Sequence, residues 1–348
     1  MDSYVLAWGA GIGDVVLSTP MLVSLKTTAP TQKIIAIGNA GNRKILLWLA
    51  DLGFVDEVIT LPSTLPGVIK LFSKLSLKFR ARFVILHTVK SAKIPWLLSP
   101  LIHLRRKSIG FRIRGRLEKL ITGFDQTLIP DDVALRDAYA SMGETLSGQS
   151  SSNIVEQAKQ VISSWSLKRS EHRGKTDTDI TIGLHLGTGP GVEVKSLNRD
   201  RWSPLFESLK KRNSRFLLFG GPDEPSDLPR IWDDSVDQSL IGKPGLADFT
   251  AALSSCDLFI ANDGGPMHLA GLLGIPTIAF FGASDPARQH PMTDRFFVIE
   301  PGCWCQHTSR SVGEIACPNP DGPIRRDMVI DSNILNNVNK WLDAELAK

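Results

Sequence analysis

Apolar residues in this chain come in short unbroken runs bounded by glycine-rich or polar turns, and these alternate with stretches in which apolar positions recur every three or four residues. The first pattern reads as strands buried on both faces, the second as helices packed on one face. Tyr4 to Trp8, Lys33 to Gly38, Asp56 to Leu61 and Phe83 to His87 are strand-like, while Asn42 to Leu52 and Gly67 to Phe79 are helix-like. The alternation returns with strands at Ile180 to Leu186, Arg215 to Phe219, Asp257 to Ala261 and Pro276 to Phe281. Helices are expected at Leu246 to Ser255 and Met267 to Leu273, and an amphipathic closing helix from Ser332 to Leu346. Two series of βα repeats predict an α/β chain with two doubly wound, Rossmann-like domains.

The length of 348 residues also suits two domains of ordinary size. From about Gly148 to Asp179 the composition turns to Ser, Gln, Lys and Asp, which marks a linker, with a helix expected within it at Val155 to Trp165. The expected division is a first domain over 1–165, the linker over about 148–179, a second domain over 180–330 and the closing helix over 331–348.

Hydrophobic residues make up 42% of the chain, enough for two cores, without an apolar run of the roughly 18 residues a spanning helix needs. The amino terminus, MDSYVLAWGAGIGD, has no basic lead before its apolar stretch, so it is not read as a secretory signal and a cytoplasmic location is expected. Three of the four cysteines, Cys303, Cys305 and Cys317, lie close together with His307 nearby. Their spacing lacks the paired C-x-x-C of a common zinc site, which favours reduced thiols over a structural metal. No cofactor is expected.

The net charge of +4 conceals a strong asymmetry. From Leu61 to Arg116 there is no Asp or Glu, while Lys and Arg recur from Lys70 through the cluster Arg105 to Lys107 and on to Arg116. Such a segment points to an anionic partner. Aromatic residues are too sparse there for a base-stacking surface, so nucleic acid is not the expected partner. The apolar stretch Ile94 to Leu104 inside it reads either as core or as a surface that rests on an anionic bilayer.

Candidate chemistry gathers at the turns. Asn262, Asp263, Gly264 and Gly265 join a strand to the helix that carries His268, where backbone N–H groups approach an anion closely. The same pattern also suits Asp263 as a helix cap and His268 as a core histidine. Near the start, Gly9, Gly11 and Gly13 are spaced G-x-G-x-G, not as a dinucleotide fingerprint, and Asp14 follows at the entry to a helix. A carboxylate there is favoured in its charged form, ready to accept a proton, and a capping role is compatible with that. Pro20 predicts a kink in that helix. In the second half, Thr188, Gly189, Gly191, Lys195, Arg199 and Arg201 offer donors and cations to a phosphate pair. Ser203 is placed to cap the next helix, with Pro204 at its first position. Glu224 stands after a strand, either as ligand to two ribose hydroxyls or as an ordinary cap.

Three segments together, GDVVLSTPMLVSLK, the glycine and basic loop before Arg201 and Trp202, and NDGGPMHLAGLLGIPTIAFFGASDP, resemble the family 9 glycosyltransferases, the lipopolysaccharide heptosyltransferases. The resemblance implies the GT-B architecture, two Rossmann-like domains facing across a cleft, and an inverting, metal-independent transfer of heptose from ADP-heptose to a lipopolysaccharide core or related anionic glycolipid. It implies Asp14 as general base, beside an acceptor-side loop with Gly11 and Gly13. It implies a donor site with Glu224, Asp263, Gly265 and His268, to which the residue pattern adds Thr188, Lys195, Arg201 and Gly264. Asp200 stands where similar chains carry a lysine, so either Lys195 or Arg201 is left to meet the diphosphate. An anionic acceptor would draw the acid-free basic segment to a membrane surface, so peripheral contact with the inner membrane is expected. A sugar-nucleotide epimerase or a non-catalytic sugar-nucleotide binder are the alternatives.

Overall fold

The computed structural model describes residues 2–8, 11–78, 80–86, 108–111, 125–127, 134–170, 180–187, 202–221, 236–242, 245–282, 285–300 and 330–347. The chain divides into two compact units, Met1–Ala158 and Lys159–Lys348.

The first unit carries strands β1 (Asp2–Trp8), β2 (Lys33–Gly38), β3 (Glu57–Thr60), β4 (Arg80–Leu86), β5 (Ser108–Phe111) and β6 (Asp125–Thr127). They pair in the order β3-β2-β1-β4-β5-β6, every neighbour parallel. Helices α1 (Ile12–Leu17), α2 (Thr19–Thr28), α3 (Arg43–Asp51), α4 (Leu65–Lys78) and α5 (Leu135–Ser147) belong to this unit. The expected kink is a full break. Helix α1 ends at Leu17, Ser18 turns the chain, and Pro20 takes a first-turn position of α2 where its missing N–H costs nothing.

The second unit repeats the plan with β7 (Ile180–His185), β8 (Ser214–Leu218), β9 (Gln238–Ser239), β10 (Leu258–Asn262), β11 (Thr277–Phe280) and β12 (Phe296–Ile299). Their order is β12-β11-β10-β7-β8-β9, again all parallel. Counted from each unit's first strand, both sheets have the order 3-2-1-4-5-6 of a doubly wound dinucleotide fold. Its helices are α7 (Ser203–Lys210), α8 (Leu246–Leu253), α9 (Gly265–Leu272), α10 (Pro286–Gln289) and α11 (Ser332–Leu346). The core joins Ile182, Leu184, Leu258 and Ile260 of the sheet to Trp202 and Phe206 beside it, and to Val338 and Leu342 of α11.

The unbroken apolar runs become strands because both faces are covered: all five residues of β10 and all four of β11 are buried. Three aspartates fix the amino ends of the sheets by the same device. The N–H of Asp56 donates to the Ile34 carbonyl while its carboxylate accepts from the Ile34 N–H at 2.7 Å. Asp237 makes the same reciprocal pair with Phe216, and Asp257 with Thr181.

Several readings shift. The stretch with linker composition is mostly a helix, α6 (Ser151–Ser170), and the division between the units falls inside it. Over residues 151–161 its buried residues are Ile154 and Ala158, one turn apart, in a stretch whose other positions are polar or partly exposed. Trp202, not Ser203, is the N-cap of α7, without a side-chain cap bond. The polar loop after β11 contains α10, whose first turn is capped by the Asp285 carboxylate accepting from the Ala287 N–H at 2.9 Å. Ile94 to Leu104, with its two readings, lies outside the described residues.

Candidate functional site

In the first unit the chemistry starts where β1 ends. The Trp8 carbonyl accepts from the buried Asn42 amide at 3.2 Å, and the Trp8 indole N–H donates to the Ser18 hydroxyl at 3.0 Å. That hydroxyl donates in turn to the Val15 carbonyl at 2.7 Å, so strand end, helix break and α1 are tied together. Gly11 is the exposed N-cap of α1, and Gly13 lies in the first helical turn instead of a loop. Asp14 is the third residue of α1, half-buried, where the aligned peptide dipoles favour its negative charge. Its charge acts on the buried phenol of Tyr139 on α5. Full burial, and then the neighbouring Asp14 charge, hold the Tyr139 phenol well above the usual tyrosine range, so it stays a neutral donor.

In the second unit the chemistry lies after β10. Asn262 is buried and its amide donates to the Leu186 carbonyl at 2.5 Å, pinning the carboxyl end of β10 to the chain leaving β7. Asp263 follows, 2% exposed, with its N–H donating to the Phe280 carbonyl at 2.8 Å. The N-cap of α9 is Gly264, next in the chain after Asp263. One turn into α9, buried His268 brings Nε2 to 4.0 Å from Asp263 Oδ1, an ion pair when the ring is protonated. Gly265 at the start of α9 leaves its N–H without an intrahelical partner by position. These groups stand between β7 and β10, the first and fourth strands of the unit, at the switch point where doubly wound sheets bind ligands.

The described residues therefore bring together Asp263, Gly264, Gly265 and His268 in one unit, and Gly11, Gly13 and Asp14 in the other. Thr188, Lys195, Arg201 and Glu224 lie outside the described residues. Trp202, next in the chain after Arg201, is buried edge-on against Phe280 at 5.8 Å. Cys303, Cys305, Cys317 and His307 also lie outside, while Cys256 is buried with its Sγ toward the Ala252 carbonyl. Among the described residues no group of three His, Cys, Asp or Glu side chains is placed to hold a metal ion. Among them, too, no helix is long and apolar enough to cross a membrane.

Sequence reading missed Tyr139 and Asn42. The signal for Tyr139 was present: Leu135, Ala138, Tyr139, Met142 and Leu146 recur at helical spacing and are all buried. Asn42 was read only as the first residue of a helix, Asn42 to Leu52, and nothing in that pattern announces its bond to the Trp8 carbonyl.

Lipooligosaccharide heptosyltransferase 2 of Haemophilus influenzae is 27% identical over 123 residues, covering 33% of this chain. The matched stretches span only 34%, 36% and 30% of the length of the first curated relatives. Among solved structures, the ADP-heptose lipopolysaccharide heptosyltransferase II of Escherichia coli superposes with a TM-score of 0.65 at 18% identity, covering 99% of both chains. A family 9 glycosyl transferase from Veillonella parvula gives 0.68 at 19% identity, covering 100% of this chain and 98% of its own. At such identities these likenesses establish the fold class, α/β with two Rossmann-like sheets in the GT-B manner. The model of glycosyltransferase family 9 (heptosyltransferase) matches residues 89–315, most of the chain, and the chain belongs to that family.

Proposed function

We propose that this glycosyltransferase moves a heptose from ADP-heptose onto the core of lipopolysaccharide or a related anionic glycolipid, with inversion and without a metal ion. The observation that carries the reading is the turn after β10, where the buried Asp263 stands beside His268 and the α9 amino terminus. A sugar hydroxyl and a diphosphate are the ligands such a turn suits. Asp14, in the other unit, would take the proton.

In this mechanism the acceptor oxygen attacks the anomeric carbon as Asp14 removes its proton, an effect typically worth about 10²- to 10⁴-fold. The new C–O bond forms on the face opposite the leaving group, and the old bond to the diphosphate breaks with its electron pair. The departing ADP gains negative charge, which the α9 amino terminus and Lys195 or Arg201 would stabilise. Placing donor and acceptor together supplies the rest.

The test has two parts. Thermal shift with ADP-heptose, UDP-GlcNAc and GDP-mannose side by side should show the largest rise with ADP-heptose, because a ligand bound only by the native state raises the melting point. Conversion of the donor alone into an isomer, with no acceptor present, would replace this reading with the epimerase one. An anionic acceptor also predicts peripheral attachment to anionic membrane through the first unit, in which Lys70 and Lys74 are exposed on the acid-free helix α4. Flotation with phosphatidylglycerol liposomes at low salt checks this, and no binding there removes it.

A further inference from the structure

We infer that Arg288 is a further donor-binding residue, a cation on the segment that leaves β11, kept for the diphosphate of the nucleotide sugar. The inference rests on the donor site lying in this unit and adds a group to it. Arg288 belongs to α10 and is half-buried. Its Nε is enclosed without a hydrogen-bond partner, and among the described residues its guanidinium makes no ion pair. Other arginines of the unit are matched: Arg212 donates to Asp343 at 2.6 Å, Arg295 to Glu345 at 2.7 Å and Arg215 to Gln238 at 3.4 Å.

The acids nearest to Arg288 in the chain are engaged elsewhere. Asp285, three positions back, is spaced for an ion pair within a helical turn, yet its carboxylate accepts from the Ala287 N–H at 2.9 Å instead. Asp294 pairs with Lys159. A guanidinium that gives up water on one side and gains no partner is unfavourable in the free protein, and an anion that meets it recovers the loss. Its planar fork of donors matches a phosphate group.

Two anchors tie α10 to the strand and helix that carry the donor turn. Before it, β11 ends at Phe280, which pairs in register with Asn262 and whose carbonyl accepts from the Asp263 N–H at 2.8 Å. After it, the chain closes on α9: a Cβ on Gly271 would stand 2.7 Å from the Met292 nitrogen and 2.8 Å from the Pro291 Cβ. His290 stacks on Phe296 of β12 with ring centroids 5.2 Å apart, which holds the exit of α10. The chain from Phe280 to Met292 thus starts beside Asp263 and ends against α9, with Arg288 between. An anion drawn to the α9 amino terminus finds, on the neighbouring segment, a cation with no other partner among the described residues.

The experiment measures ADP and adenosine affinity by calorimetry for the full chain and for Arg288→Gln and Arg288→Lys, with melting points alongside. Arg288→Gln should bind ADP about tenfold or more weakly while adenosine affinity stays within about twofold, because only ADP carries the phosphates. Arg288→Lys, a point charge without the fork, should lie between the wild type and Arg288→Gln, and it decides the matter if Arg288→Gln does not fold. If both variants bind ADP as the wild type does, the inference falls. An equal loss for ADP and adenosine overturns it too, since that marks a disturbed loop. Unchanged ADP affinity with a raised KM for a phosphorylated inner-core saccharide would move Arg288 to the acceptor and out of the donor site. Wild-type binding of UDP or GDP in place of ADP would overturn the choice of donor alone, and the same comparison with that nucleotide and its nucleoside then reads Arg288. If the wild type binds none of the three diphosphates, the donor reading and the inference fall together.

Discussion

The two sheets share one strand order, yet they carry their acidic residues at different strands and in different surroundings. In the first unit the acid follows strand one, sits inside the first turn of α1, and is half-buried. In the second the acid follows strand four, precedes its helix, is 2% exposed, and stands beside a histidine. Topology makes a ligand site at the carboxyl edge of both sheets; the residues of the turn decide what the site does. A carboxylate with access to solvent suits taking a proton, whereas one sealed beside a histidine and backbone amides suits gripping a ligand.

The sharpest way to break this contrast is to remove each acid separately. Asp14→Asn should lower kcat by about 10²- to 10⁴-fold while donor affinity stays within a few fold. Asp263→Ala should instead weaken donor binding, by tenfold or more, as a lost charged hydrogen-bond partner of about 1.5–3 kcal/mol implies. Steady-state kinetics and calorimetry with ADP-heptose read both. If the two substitutions have the same signature, the division of labour between the units is wrong.

Each unit also ties its first strand with a buried asparagine, but from opposite sides. Asn42 reaches the Trp8 carbonyl from the β2 side, and Asn262 reaches the Leu186 carbonyl from the β10 side. Alanine at either position leaves a buried carbonyl without that donor, a cost of about 1–3 kcal/mol in denaturant unfolding. The difference should appear in binding. Asn262 is next to Asp263, so its loss should weaken ADP affinity, while Asn42→Ala should leave ADP affinity unchanged.

The strands and the two-sheet plan were legible because buried parallel strands write themselves as unbroken apolar runs; Lys33–Gly38 and Ser332–Leu346 match their expected ends to the residue. The turn at Asn262 to Gly265 was legible for the same reason, since its polar residues interrupt such a run. What stayed hidden depends on pairs far apart in the chain. Tyr139 and Asp14 are separated by more than a hundred positions, and nothing local in either segment announces the other. Helix α6 was only partly read because over residues 151–161 its buried residues are few, and composition there reports the solvent face.

Close packing offers a smaller comparison. A Cβ on Gly38, at the end of β2, would fall 2.3 Å from Asn42 Oδ1 and 2.4 Å from Leu46 Cδ1. On Gly183, inside β7, it would fall 2.7 Å from Phe259 and 2.9 Å from the Cys256 sulfur. Overpacking of this kind costs about 1–3 kcal/mol. Gly38→Ala should also lower kcat, because it displaces the asparagine that holds the strand end before Asp14, whereas Gly183→Ala should act on the melting point alone.

The smallest expected effect lies at the opposite edge of the sheets, where Asp56, Asp237 and Asp257 make the same reciprocal backbone pair. Asp56 differs in also pairing with Lys26 at 2.5 Å. Partial burial opposes its charge, but the Ile34 N–H and Lys26 outweigh that and hold its carboxyl below the usual aspartate range. A carboxyl lowered by folding contributes stability that is present in full above its unfolded value, near 4, and is lost as pH falls through the folded value. Asp56→Asn should therefore cost up to about 1 kcal/mol at neutral pH, the scale of a solvent-exposed pair. The difference from wild type should shrink as pH drops below about 4. Urea unfolding at pH 7 and at pH 3 measures it. A gap that is equal at both values would mean that the backbone bond, which an asparagine also accepts, carries the whole contribution and the charge none.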